Sequence, residues 1–546
     1  MKIDLEDRQT LVQTQRRRGR RDTEDHLDSK PMQPSLSTSR FDVIIIGAGI
    51  NGAGIARDAA MRGLKVLLLD KGDIGSGTSS ASTRLIHGGL RYLEHAEFGL
   101  VRESLREREN LIRIAPHLVR PVPILIPIYK DRSRGLKIIR AGMLAYDLLS
   151  YDKTLPRHRM LSRFETLERC GGLNQEALVG GALYYDCQVE FAERLVLENA
   201  LSAKECGAEI LTYAGVTKLR EGEVQFRKGT DEQTVQAPVT INAAGPWVDR
   251  INSDEQRSPL IGGTKGSHII VRSFSGSPAT AVYIEAETDH RPFFIIPWNH
   301  NYLIGTTDVR FKGDLDDVAS EMWEVDYLLK ETNRVFPDAK LGREDICYTY
   351  SGVRPLPFTE NEHAQSITRR HFILPHSQIR NLYSVVGGKL TTYRGLAEEC
   401  VDLVFQKLRK RSPRCETTKI PLPGATNFCL ELSLESDTAV RISRIYGGKQ
   451  CELARLCERD DALAKSFNKT GDAIAAEVVF SFESELAETL ADCLLRRTML
   501  GLNCDLGIDD AVAAAQIAQQ FLGWSEKRVT DELAQYRREI EKRILR

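Results

Sequence analysis

Phe41-Asp-Val-Ile-Ile-Ile-Gly47-Ala-Gly49-Ile-Asn51-Gly52 decides the fold. Val43 to Ile46 is a β-branched run suited to a buried strand. The next turn is glycine-rich, and Ile55, Ala56, Ala59 and Ala60 recur at helical spacing after it. A second apolar run, Val66 to Leu69, ends on Asp70, 21 residues past Gly49. Strand, GxGxxG turn, helix, strand and terminal acid together form a dinucleotide-binding unit. Gly47 permits the tight turn, Gly49 lets backbone approach a pyrophosphate, and Gly52 lets helix and strand pack closely. Asn51 lies inside the turn. The helix N-terminus offers unpaired N–H groups to phosphate, and Asp70 is placed to accept from a ribose hydroxyl.

The residues after Asp70 choose between dinucleotides. Gly75-Ser-Gly-Thr78-Ser79-Ser80-Ala-Ser82-Thr-Arg84-Leu85-Ile-His87-Gly88-Gly89-Leu-Arg91-Tyr92 interleaves hydroxyls, glycines and bases. Such a loop wraps a diphosphate and runs backbone beside a flat ring, and a nicotinamide enzyme has no need of it there. The run resembles the flavin-binding segment of the FAD-dependent, respiratory glycerol-3-phosphate dehydrogenases. Lys265-Gly-Ser-His268, Ile304-Gly-Thr-Thr-Asp308, Ser351-Gly352-Val-Arg354-Pro355 and Gly387-Gly388-Lys389-Leu390-Thr391-Thr-Tyr-Arg394 carry the same resemblance.

That resemblance implies an α/β fold: a Rossmann-like FAD-binding domain of the glutathione-reductase or D-amino-acid-oxidase type. It adds an inserted β-rich substrate domain and a C-terminal helical domain. Residues 40–415 form the oxidoreductase region, with FAD-binding segments at about 40–118, 185–265 and 340–415 and substrate or membrane segments at about 119–184 and 266–339. Residues 416–546 form the helical domain. FAD is implied against Gly47, Gly49, Asn51, Gly52, Asp70, Thr78, Ser79, Ser80, Ser82, Leu85, His87, Gly88, Gly89, Val216, Gly352, Arg354, Gly388, Lys389, Leu390 and Thr391. Ala244, Gly245 and Trp247 join them, because small residues at the exit of strand Val239 to Asn242 let backbone pass close to a cofactor.

The totals set the frame. A chain of 546 residues holds two or three domains. Net charge is −1, which gives no general attraction to nucleic acid. Eleven cysteines lack CxxC or metal-ligand spacing, so they read as free thiols in a reducing compartment, and no metal site is expected. No apolar run is long enough to span a bilayer, and no secretory leader is visible. Residues 1–39 are polar, with Arg16-Arg-Arg-Gly-Arg-Arg21 among acids, and are expected to be disordered. Gly207 to Val216 reads as one strand. Leu136, Ile139, Met143 and Tyr146 fall on one helical face behind a basic start, which makes an interfacial helix a candidate. A core helix with a snorkelling basic end fits the same pattern.

Arg91, His268, Arg354, Arg369 and Lys389 stand in glycine- or proline-flanked segments. Forked guanidinium groups suit a phosphate dianion. By resemblance, Arg91, Tyr92, His268, Arg354, Arg369 and Lys389 bind substrate, and His268, Arg354 and Lys389 act in catalysis. His268 is the expected base, since a neutral imidazole is available near neutral pH. The implied reaction oxidises sn-glycerol 3-phosphate to dihydroxyacetone phosphate, with hydride passing to FAD and electrons to ubiquinone or menaquinone. The implied location is the cytoplasmic face of a membrane, as a peripheral homodimer that binds lipid surface but not nucleic acid. An oxidase that uses oxygen, or a catalytically silent membrane flavoprotein, stays open at this point.

Overall fold

The structure is a computed structural model that describes residues 40–545 apart from 95, 131, 133, 252–258, 361–366 and 427–435. The N-terminal extension lies outside the described residues. Val43–Ile46 sits inside a six-stranded sheet whose spatial order is Phe372–Pro375, Leu382–Val386, Val239–Asn242, Val43–Ile46, Val66–Leu69, Glu209–Leu211. Val43 lies opposite Val239 on one side and Val66 on the other, both in parallel pairing. Every residue of Val43–Ile46 and Val66–Leu69 is buried, as a parallel sheet covered on both faces requires. Helix Ile50–Met61 packs between the sheet and helices Ala192–Glu205 and Tyr393–Leu408. That closeness depends on Gly52, where a Cβ would stand 1.8 Å from the Gly47 carbonyl oxygen.

A second sheet of ten strands forms the other layer. Thr264–Val271 pairs antiparallel with both Asn301–Gly305 and Ile346–Arg354. Ile346–Arg354 and Leu178–Val189 are both strands of this sheet. The strand expected over 207–216 divides, into Glu209–Leu211 and Ala214–Arg220, because Tyr213 turns the chain with φ of 54°.

Helix Leu136–Leu149 corrects the interfacial reading in detail. Of the face singled out by periodicity, Ile139, Met143 and Tyr146 point into the core, while Leu136 is exposed. The outward face carries Lys137 and Arg140 with Ile138, Leu144 and Leu148, of which Leu148 is 74% exposed. The period alone does not say which of two apolar stripes packs inward. Among the described residues no helix is long and apolar enough to cross a membrane.

Beyond residue 416 the chain is helical, and buried ion pairs dock it. Arg194 forks onto Glu485 at 2.5 and 2.8 Å, and Arg497 forks onto Asp73 at 2.7 and 2.8 Å. Removing one partner of such a pair costs about 3–5 kcal/mol, because the other charge stays buried. The expectation of free thiols fails at Cys347 and Cys504, which form a disulfide across 157 residues. No local spacing announces a pairing between segments that distant.

Candidate functional site

One cavity of about 850 Å³ runs between the two sheets. Its lining includes every cofactor candidate named above except Gly52 and Gly88, and all six substrate candidates. Those two glycines serve packing instead. A Cβ on Gly88 would meet the Tyr146 hydroxyl at 2.4 Å and Leu105 at 2.6 Å.

At the dinucleotide end the walls are bare backbone. Gly47 has φ of +100°, and a Cβ there would stand 2.6 Å from the Ala243 carbonyl oxygen. Gly388 has φ of +90° and abuts Asn51. Asp70 accepts from the N–H groups of Ala48 and Gly72 at 2.5 and 2.8 Å. Burial outweighs those bonds and pushes its carboxyl up to about 6. The hydroxyl loop builds itself: Ser79 Oγ accepts from Ile50 N–H at 3.0 Å, Thr78 donates to the Val353 carbonyl at 2.7 Å, and Ser80 donates to the Gly77 carbonyl at 2.9 Å. Arg84, buried below the loop, forks onto Glu193 at 2.7 Å through each nitrogen. Tyr146 ties the loop to helix Leu136–Leu149. Its hydroxyl accepts from Gly88 N–H at 3.0 Å and donates to Asp186 at 2.7 Å.

The other end is cationic. The Asp308 side chain, 5% exposed, takes Arg354 at 3.0 Å, Arg369 at 3.0 Å and Arg291 at 3.1 Å. Arg91 and Lys389 line the same cavity, with Glu94 near Arg91 and Glu97 near Arg369 and Lys389. Burial, and then the neighbouring Arg369, destabilise the charge on Arg354 and pull it down to about 9. Burial also lowers Arg91, Arg369 and Lys389. Burial would raise the Tyr92 phenol, but Lys389, Arg369 and Arg91 outweigh it and the phenol falls. Lys389 Nζ sits 3.8 Å from the centre of the Tyr92 ring. Arg369 Nη1 is buried without a hydrogen-bond partner among the described residues. Such a cluster holds a place for an anion.

His268 stands between the two ends. Its Nε2 lies 3.0 Å from Thr83 Oγ1, its ring stacks on Tyr350 at 4.8 Å, and its buried Nδ1 has no partner. Burial first, then Arg354 and Arg84, hold the imidazole well below its ordinary 6.5, so it is neutral at neutral pH.

Sequence reasoning missed Arg291 and gave Asp308 no role. Each is a single residue beside a hairpin, with no spacing to mark it. It also saw no site residues past 420, yet Thr489, Arg496, Gln535, Glu539 and Lys542 line the same cavity.

A parallel sheet with a glycine-walled dinucleotide cradle, a hydroxyl loop and an unpartnered Asn51 Oδ1 fits FAD, and these features define a flavin-dependent oxidoreductase. Residues 42–403 match the FAD dependent oxidoreductase family, and residues 415–529 match the C-terminal domain of alpha-glycerophosphate oxidase. A glycerol-3-phosphate dehydrogenase of Synechocystis sp. is 46% identical over 94% of this chain and 98% of its own length. A D-erythritol 1-phosphate dehydrogenase of Brucella abortus is 38% identical over 84% of this chain and 94% of its own. The glycerol-3-phosphate dehydrogenase of Bacillus halodurans, solved complexed with FAD, is 28% identical, with a TM-score of 0.74 over 93% of this chain and 96% of that one. The chain belongs to the FAD-dependent glycerol-3-phosphate dehydrogenase family.

Proposed function

We propose that the chain oxidises the C2 hydroxyl of sn-glycerol 3-phosphate to give dihydroxyacetone phosphate and passes the electrons to membrane quinone. The observation that carries this reading is the set of cations lining the flavin cavity, Arg91, Arg291, Arg354, Arg369 and Lys389, with Arg369 Nη1 buried and, among the described residues, unpartnered. A phosphate dianion answers that surplus, and the guanidinium forks of Arg354 and Arg369 suit its geometry. Asp308 holds Arg291, Arg354 and Arg369 in one arrangement, so the dianion meets cations already oriented. Bound FAD supplies the hydride acceptor. Neutral His268 takes the hydroxyl proton, and Arg354, beside it, stabilises the oxyanion that develops. Lys389 and Tyr92 hold the substrate between them.

The outward face of helix Leu136–Leu149 favours quinone over oxygen. Lys137 and Arg140 suit anionic headgroups, while Ile138, Leu144 and Leu148 suit the acyl boundary. The holoenzyme is therefore expected to bind vesicles of anionic lipid and, with quinone in the bilayer, to form quinol rather than peroxide. Leu144→Glu/Leu148→Glu should lose vesicle binding and quinol formation while keeping reduction of a soluble dye. Peroxide as the main product, or vesicle binding unchanged in the double variant, contradicts the membrane reading.

A further inference from the structure

We propose that the C-terminal helical region is a cofactor-retaining clamp, which completes the adenosine end of the FAD cavity and braces the two turns that shape it. The proposal rests on the flavin cradle and not on the identity of the substrate.

The first turn is Asp70-Lys71-Gly72-Asp73, where strand Val66–Leu69 ends. Its Asp73 is fully buried against the C-terminal region. Arg497 donates both guanidinium nitrogens to it, and Arg496 Nε donates to it at 2.5 Å. Arg496 and Arg497 are successive residues, and on an α-helix successive side chains diverge by roughly 100°. Here they occupy a π-helical turn, Cys493–Arg497, and reach one carboxylate. Such wide turns recur at functional sites. Arg496 lines the cavity and also donates to Asp492 at 2.7 Å.

The second turn is Thr212-Tyr213, where the expected strand divides. The Tyr213 hydroxyl donates to Asp492 at 2.6 Å, and Lys228 Nζ donates to Glu488 at 2.6 Å and to the Thr212 carbonyl at 2.7 Å. Residues 488–497 therefore bridge both turns that flank the place where the fold puts the adenosine.

The last helix, Glu526–Glu541, borders the cavity. Its buried stripe is Tyr536 and Ile540. Beside that stripe Gln535, Glu539 and Lys542, spaced i, i+4 and i+7, reach the rim of the cavity, with Gln535 and Glu539 still exposed to solvent. Lys542 Nζ donates to the Asp316 carbonyl at 2.7 Å. The Asp316 carboxylate accepts from Trp247 Nε1 at 2.9 Å and from Arg250 at 2.8 Å, and pairs with Lys71. Lys71 Nζ lies 4.3 Å from the Trp247 ring centre. The strip Lys71, Trp247, Asp316, Lys542 thus joins four distant segments at this end of the cavity, where Arg496, Lys71 and Lys542 stand among Asp70, Asp73, Asp316 and Glu539.

The test is FAD retention by the holoenzyme, followed by the fluorescence of released flavin. Arg496→Met removes a cavity-lining cation but leaves Asp73 with both Arg497 bonds and Asp492 with the Tyr213 hydroxyl, so no buried carboxylate is orphaned. Its FAD dissociation constant should rise about tenfold or more, the worth of one charged hydrogen bond, while KM for substrate at saturating FAD stays at the parent value. If Arg496→Met also lowers the melting temperature of the apoprotein, Gln535→Ala/Lys542→Ala decides. That pair should speed FAD release with the apoprotein melting temperature unmoved. Release at the parent rate from Arg496→Met with an intact fold, or from Gln535→Ala/Lys542→Ala, overturns the proposal.

Discussion

Arg369→Met isolates the anion site. Arg369 Nη2 holds Asp308 at 3.0 Å, and its Nη1 has no partner among the described residues. In the variant Asp308 keeps Arg291 at 3.1 Å and Arg354 at 3.0 Å, so the buried carboxylate is not orphaned. A hydrogen bond to a charged group contributes about 1.5–3 kcal/mol. With a factor of ten for each 1.4 kcal/mol or so, kcat/KM for sn-glycerol 3-phosphate should fall by roughly 10- to 150-fold. The assay is steady-state reduction of a soluble dye, run in parallel with glycerol, which lacks the phosphate. Activity toward glycerol should barely change, and inorganic phosphate should stimulate it in the parent chain but not in the variant. Arg369→Lys should recover only part of the loss, because a point charge lacks the fork. An equal loss for both substrates, or an unchanged KM for the phosphate ester, refutes the assignment.

His268→Asn should lower kcat by about 100- to 10,000-fold, the usual worth of a positioned base, and full turnover would remove that role. With the imidazole held below 6.5, the acid limb of kcat/KM in the parent should lie below pH 6.5, and a limb centred at or above that value contradicts the burial argument. The sign for stability follows. Unfolded His268 gains its proton as pH falls through about 6.5 while folded His268 does not, so acid favours unfolding, and His268→Asn should weaken that dependence in urea titrations across the window. Gly52→Ala sets a methyl 1.8 Å from the Gly47 carbonyl oxygen, so the variant should purify with little bound flavin, and a full flavin-to-protein ratio would contradict the packing argument.

The dinucleotide unit was legible because its information is local. Four β-branched residues, three glycines and one acid fix a strand, a turn and a second strand within thirty residues. The cation set was legible only through the resemblance, since no spacing links Arg91 to Lys389, and the structure brings them to one cavity end. Other features have no local signature. Ile139, Met143 and Tyr146 have the same period whether they face core or lipid, and the exposed Leu144 and Leu148 sit between charges. Asp308 and Arg291 matter because a hairpin carries them to the segments that hold Arg354 and Arg369. Gln535, Glu539 and Lys542 carry no motif, and only the fold brings them to the rim of the cavity.

The central claim is that one cavity holds the flavin at one end and the phosphate ester at the other. Anaerobic addition of sn-glycerol 3-phosphate to the yellow holoenzyme tests it most directly. The account predicts that the flavin absorbance bleaches with the ester and that dihydroxyacetone phosphate appears in amounts equal to the flavin reduced. A spectrum that stays yellow with the ester in excess would contradict it.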